Sequence, residues 1–234
     1  MDLSAMIPEL LSAMPLTLGI LLVAMLAGFV LALIATTFRI RRIPVISQLT
    51  DIYVSYARSV PVVLQLFVAF YGLPLITQWL GLGDFLSANI AAMIGLSLYH
   101  GGYLSEVLRP AYLAVERGQH DAADSMGYTF FQKMRRVVGP QAIHFALPGY
   151  GNSVIYLIHN VALVMYIGAA DVMATAHLIM ERDYNQYQFA TYLVLAVIYS
   201  LLCLVAWLIV RFFEKRHAKY SSKSATRVKL TASV

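Results

Sequence analysis

The 234-residue chain is 60% hydrophobic and only 12% charged, whereas soluble domains run at roughly 45–50% and 25%, which excludes an ordinary soluble fold and points to one all-α integral membrane domain. Its 17 lysines and arginines outnumber 12 acidic residues, for a net charge of +5. Because they lie between apolar runs, the excess reports membrane topology and lipid headgroup contact and gives no basis for a nucleic-acid partner.

The N-terminal stretch MDLSAMIPEL is acidic rather than basic ahead of the first apolar run, which predicts no cleavable signal peptide. A membrane-spanning helix needs about 20 apolar residues for a hydrocarbon core of roughly 30 Å. Uncharged runs of that order occupy 14–38, 59–83, 85–105, 137–170 and 184–210, and they predict five spans. The second and third are parted only by Asp84, with turn signals at Gly72, Pro74, Gly81 and Gly83. The fourth run is too long for one span; Pro148, Gly149 and Gly151 predict an interfacial helix there, and the span is placed near 149–168. The sole cysteine, Cys203, lies in the fifth run, so no intrachain disulfide is possible and packing is its expected role.

Charge sets the expected orientation. Arg39, Arg41 and Arg42 follow the first span, five basic residues lie in 106–136, and seven lie beyond 210. Fifteen of the seventeen basic residues thus fall on one side of a five-span chain, with Arg58 inside a span and Arg182 on the opposite side. Basic loops stay cytoplasmic, so the N-terminus is expected outside and the C-terminus inside. A single transmembrane domain is read as 1–215, followed by a basic, disordered cytoplasmic tail over 216–234.

Residues 106–140, EVLRPAYLAVERGQHDAADSMGYTFFQKMRRVVGP, are charged and punctuated by glycine. Gly118 and Gly127 are expected to break this stretch into short helices, and Pro140 to halt or redirect the second. No zinc-ligand spacing, phosphate-cradling glycine loop or catalytic triad occurs, and the six histidines are scattered. No metal site is expected, and the chain has no P-loop with which to hydrolyse ATP. Polar residues inside apolar spans are the remaining candidates. Asn152, Tyr156 and Asn160 follow one another at i+4, with Ser153 and His159 beside them, and share a helix face. Tyr99, Tyr103 and Glu106 share another, with His100 adjacent. Arg58 and Gln65 are roughly co-facial, and Pro61 between them can open the helix and free carbonyls. Such stripes face a cavity or a partner helix rather than lipid. Each has a plainer reading. The tyrosines and Asn152 can serve helix packing, Arg58 can snorkel or pair with an acidic residue, and Glu106 can pair with Arg58 or Arg109.

Several of these stretches coincide with motifs of one family. HDAADSMG at 120–127, followed by Pro140, resembles the cytoplasmic EAA loop of ABC importer permeases, although Asp121 replaces the usual Glu and VVGP the usual Ile-x-Leu-Pro. ARSVPVVLQLFVAFYGLP at 57–74 is similar to the Arg-x-Thr-Pro-x-x-x-Gln-Leu signature of polar amino-acid permeases. IGLSLYHGGYLSEVLRPAYLAVERGQHDAA at 94–123, PQAIHFALPGYGNSVIYLIHNVAL at 140–163 and PLTLGILLVAML at 15–26 match that family in the same order. The chain is identified as resembling the histidine, glutamine and cystine permeases of type I ABC importers over roughly 14–215.

This resemblance implies an ATP-driven importer of a polar L-amino acid or derivative in a bacterial cytoplasmic membrane. It implies two ABC ATPase subunits carrying the ATP and Mg, a second permease chain (identical or homologous) and an extracytoplasmic binding protein. The loop at about 116–140 would dock on the ATPase through Gly118, Asp121, Ala122, Ala123 and Gly127, whose small side chains permit close approach. Gln65, Tyr99, His100, Tyr156, His159 and Asn160 would line the substrate path, and Arg58, Pro61 and Glu106 would serve gating or structure. Where many relatives have Lys-Asp-Thr-Ser-Leu, this chain has His159, Asn160, Val161, Ala162 and Leu163. Either an uncharged or aromatic-compatible side chain is carried, or this is the weaker half of a heteromeric pore. Two other classes stand beside the importer: an ion-coupled secondary carrier, against which five spans without an inverted repeat weigh, and a membrane enzyme or scaffold.

Overall fold

The computed structural model describes the backbone of residues 3–82 and 87–231 and the side chains of 6–82 and 87–216. The expected turn at Gly83 and Asp84 lies outside these residues, as do the side chains of the basic tail beyond Arg216. Among the described residues the structure is helical and contains no strand. A short α1 (Leu3–Ser12) leads into α2 (Met14–Arg41), where Pro15 opens the helix and Arg39 and Arg41 lie in the last turn, favourable to the carbonyl end of the dipole. Then come α3 (Ile46–Ser59), α4 (Val62–Trp79) and α5 (Ala88–Leu113). The short α6 (Arg117–Ser125) and α7 (Phe130–Lys133) follow, then a π-turn at Met134–Val138 that runs into α8 (Gly139–Val161) and a 3₁₀ end at Ala162–Ile167. Last come α9 (Val172–Arg182) and α10 (Gln188–Thr231).

The five expected spans correspond to α2, α4, α5, α8 and α10. Among the described residues four stretches are long and apolar enough to cross a membrane: Met6–Arg41, Val62–Trp79, Phe130–Ile167 and Gln188–Arg216. The fifth, α5, is long enough at 26 residues, about 39 Å at 1.5 Å per residue, yet less apolar. Its position explains this: it packs against α2, α3, α4 and α8, so other helices surround it in place of lipid. Small residues allow that. Thr17, Ile20, Ala24, Gly28, Ala32 and Ala35 form the buried face of α2, and Gly95, Gly101 and Gly102 lie on α5, the spacing by which helices approach closely in lipid. A Cβ on Gly28 would stand 2.8 Å from His100 Cδ2. By contrast α10, packed on α8 and α9, has only 6% of its apolar window buried and is the outermost span.

Several boundaries differ from the sequence expectation. Gly72 and Pro74 do not turn the chain but lie inside α4. The break comes earlier, at Val60 and Pro61, because the residue before proline is driven to extended backbone and proline has no N–H; Val60 has ψ 131° and Pro61 ψ 138°. Arg58, expected inside a span, therefore sits in the last turn of the separate helix α3. Pro148, Gly149 and Gly151 do not part an interfacial helix from the fourth span either; α8 runs through all three. Pro140 falls at the start of α8, where a missing N–H costs nothing, so it halts no helix. Gly118 lies within α6 and breaks nothing. The expected loop 171–187 holds α9, started by Asp171, whose carboxylate accepts from Ala174 N at 2.9 Å.

Candidate translocation path and coupling loop

α5 and α8 face each other because their contact residues are small: a Cβ on Gly149 would stand 2.5 Å from Val107 Cγ1. This approach places Tyr103 between Tyr99 and Tyr156, with ring centroids 6.0 Å apart in both pairs and an edge-on contact to Tyr156. Tyr99 lies within hydrogen-bonding reach of the Asn160 side chain. Four polar side chains from two spans thus form one continuous cluster. On α8, the exposed residues between 151 and 160 are Asn152, Tyr156 and His159; Tyr156 keeps 51% of its surface. In hydrocarbon such a stripe requires water, solute or protein opposite it. His159 Nε2 also lies 3.5 Å from Cys203 Sγ on α10.

The structure does not bring every expected residue here. His100 is 1% exposed and turns to the α2 interface against Gly28. Gln65 lies on α4, where its Nε2 donates to the Ala57 and Val60 carbonyls at 3.0 and 2.7 Å. Both are among the carbonyls that the Pro61 break leaves without helical partners, and the glutamine amide closes these two. Its side chain also borders a groove of about 280 Å³, lined by Tyr56, Val68, Gly72 and Leu98 among others. Arg58 Nη1 donates to Glu106 Oε2 at 2.8 Å, and the second oxygen of Glu106 accepts from Arg39. Sequence reading passed over Arg39 and Asp51 because they were counted only as loop charges. An arginine in the last turn of one helix and an acid twelve residues on were the available signal.

In the 116–140 region, α6 ends in a glycine cap. Gly127 has φ +73°, its N–H donates to Asp124 O at 2.9 Å, and Tyr128 N donates to Ala123 O at 3.1 Å, the left-handed termination that favours glycine. Thr129 and Gln132 form a capping box that starts α7. Gly118, Asp121, Ala122 and Gly127 are exposed, whereas Ala123 is buried at 2% and serves contacts within the chain. Met126 and Phe131 stand out at 69% and 74% exposed. Sequence reading omitted these two, although apolar residues in so polar a segment were a visible signal. Lys133 ties α7 back to Asp124 at 2.7 Å.

Residues 28–219 match the family described as binding-protein-dependent transport system inner membrane component. The chain belongs to this family. It is 36% identical to the probable amino-acid permease protein YxeN of Bacillus subtilis (strain 168), covering 91% of this chain and 92% of that protein. It is 32% identical to the L-cystine transport system permease protein TcyL of the same organism, covering 94% and 92%. Among solved structures, an amino acid ABC transporter crystallised with histidines superposes at TM-score 0.77 and 28% identity, covering 92% of this chain and 99% of that one. The MetNI methionine ABC transporter shares the fold at TM-score 0.74 and 19% identity. The protein is a permease subunit of an amino-acid ABC importer, a membrane component that works with an ATPase and further components. The ion-coupled alternative draws no support from these relatives.

Proposed function

We propose that this permease imports a polar L-amino acid or close derivative, and that the α5–α8 cluster of Tyr99, Tyr103, Tyr156 and Asn160 lines the path it takes. The observation that carries this is the exposed polar stripe Asn152, Tyr156 and His159 on an apolar span. A zwitterion stripped of water needs partners for ammonium and carboxylate, at several kcal/mol if unmet. Asn160 offers a donor and an acceptor, and the tyrosine hydroxyls and His159 offer more. None of these groups is a carboxylate, which disfavours arginine or lysine as cargo. Gln65 borders the neighbouring groove, and His100 acts from behind by fixing α5 against α2.

The working complex in this reading has two ATPase subunits holding ATP and Mg, a second permease chain and an extracytoplasmic binding protein. Residues 1–215 act as one permease unit. Its N-terminus lies outside and its C-terminus in the cytoplasm, since basic residues concentrate at the α2–α3 turn, around α6 and α7, and after residue 210. The exposed Gly118, Asp121, Ala122 and Gly127, with Met126 and Phe131, form the face offered to the ATPase. Uptake and amino-acid-stimulated ATPase activity of the reconstituted complex, surveyed across all amino acids, test the assignment. Asn160→Ala and His159→Ala are expected to change substrate preference or apparent affinity while ATPase subunits still co-purify. Wild-type kinetics in both, and in Gln65→Ala, would place the selective contacts on the partner permease instead.

A further inference from the structure

α2, α3 and α5 converge at the end of the bundle that carries the basic turns, and four charged side chains meet there. Arg39 Nε donates to Asp51 Oδ1 at 2.6 Å and its Nη1 donates to Glu106 Oε1. Arg58 Nη1 donates to Glu106 Oε2 at 2.8 Å. The Arg39 side chain keeps only 13% of its exposure, against 58% for Asp51 and 53% for Arg58. Two positive and two negative groups make the cluster neutral, so the guanidinium is enclosed without an uncompensated charge. The same helix α3 lies against Gly101 and Gly102 of α5, where added Cβ atoms would strike Leu31, Tyr53 and Ala57. The Tyr53 hydroxyl donates to Leu98 O at 2.6 Å. At its far end α3 breaks at Pro61, and Gln65 holds the carbonyls left open. α3 is therefore fixed along its length to α5, and α4 starts directly from its end. On α5, Glu106 lies two turns from Tyr99 on one face.

We propose that Arg39, Glu106, Arg58 and Asp51 form an ionic clamp that positions the α3–α4 elbow for transport, with Arg39 as its centre. Among the described residues no hydrogen bond or ion pair joins these four to the proposed path cluster; they are positioning residues acting through α4 and α5. The clamp rests on the importer reading. Its geometry predicts an asymmetry between the two arginines. The bond from Arg39 to Asp51 leaves from Nε, a place where lysine has a methylene, so lysine at 39 loses that arm and reaches Glu106 from a shorter stem. Arg58 makes one bond from its outer nitrogen on a half-exposed side chain, which lysine reproduces by a small shift.

The test uses the permease reconstituted in liposomes with its ATPase and binding protein. ATPase activity is read with and without amino-acid-loaded binding protein, uptake is read in parallel, and both are normalised to assembled complex. Loss of the Asp51 arm with a shorter reach to Glu106 in Arg39→Lys, and loss of the shared charge in Glu106→Gln, are expected to lower stimulation and uptake about tenfold, while Arg58→Lys stays within about twofold of wild type. Arg39→Lys at wild-type stimulation, or Arg58→Lys falling as far as Arg39→Lys, overturns the clamp. If Arg39→Lys does not assemble, Asp51→Asn, which alters only the exposed outer arm, carries the test: a fall of about threefold supports the clamp and an unchanged ratio overturns it. A wild-type complex that shows no stimulation refutes the importer reading rather than the clamp.

Discussion

At the residue scale, Gln65 and Asn160 are both buried or half-buried amides in spans, yet they differ in what they touch. Gln65 closes two carbonyls at the Pro61 break, and leaving buried carbonyls unpaired costs about 1–3 kcal/mol. Gln65→Leu is therefore expected to lower the thermal midpoint of the purified complex by several degrees, on the order of 2–4 °C per kcal/mol for a domain of this size, whereas Asn160→Ala leaves it nearly unchanged. A thermal-shift assay of both variants decides between them. Gly127 is small for a reason other than close approach: a Cβ there meets nothing within 4 Å, but φ is +73°. Gly127→Asn, which tolerates the left-handed region, should keep ATPase co-purification, and Gly127→Val should lose most of it. Equal co-purification in both variants would show that the cap does not shape the docking face.

Asp171 supplies a pH prediction. It caps α9 outside the spans, is fully buried and faces Tyr199, and burial raises its carboxyl from 3.8 to about 6. A raised carboxyl contributes stability that is complete below the unfolded value and is lost as pH rises through the folded one. Stability of the purified permease should thus fall between pH 4 and 7, by roughly 1–3 kcal/mol at 1.36 kcal/mol per unit, and Asp171→Asn should flatten that slope. A wild-type slope in Asp171→Asn assigns the dependence to another group.

At the element scale, the π-turn at Met134–Val138 joins the coupling loop to α8. One extra residue per turn is accommodated there, and Gly139 is what permits it, because a Cβ would run into the Met134 carbonyl oxygen. Gly139→Ala must then either strain the turn or convert it to α-helix, rotating α7 relative to α8 by about 100°. The expected outcome is an assembled permease whose ATPase subunits co-purify poorly, measured by subunit ratio after affinity purification; a wild-type ratio would mean the turn is dispensable.

For the whole molecule, orientation is the testable property. In a Cys203→Ser background, single cysteines replacing Gln186, in the turn after α9, should react with a membrane-impermeant thiol reagent added to intact cells. Those replacing Gln48 on α3 should react only after permeabilisation. The reverse pattern would move the 116–140 loop to the outer face.

The sequence by itself determined what depends on composition and order: a membrane class from apolar runs, five spans from their lengths, a membrane family from motifs in register, and two short helices parted at Gly127. Tyr156 and Asn160 were legible as one face because i+4 spacing is a property of the helix alone. The tertiary structure decided which stripe meets which. Whether Tyr99 or its neighbour His100 joins that face depends on how α5 is rotated against α2 and α8, and Gly28, Gly101 and Gly149 set that rotation through close contacts between distant residues. The role of Gln65 required the elbow at Pro61 to be built first, since only then do Ala57 and Val60 present open carbonyls. Arg39 and Glu106 are 67 residues apart, and charge counting alone could place both at one end of the bundle but could not pair them, because pairing follows from three helices converging.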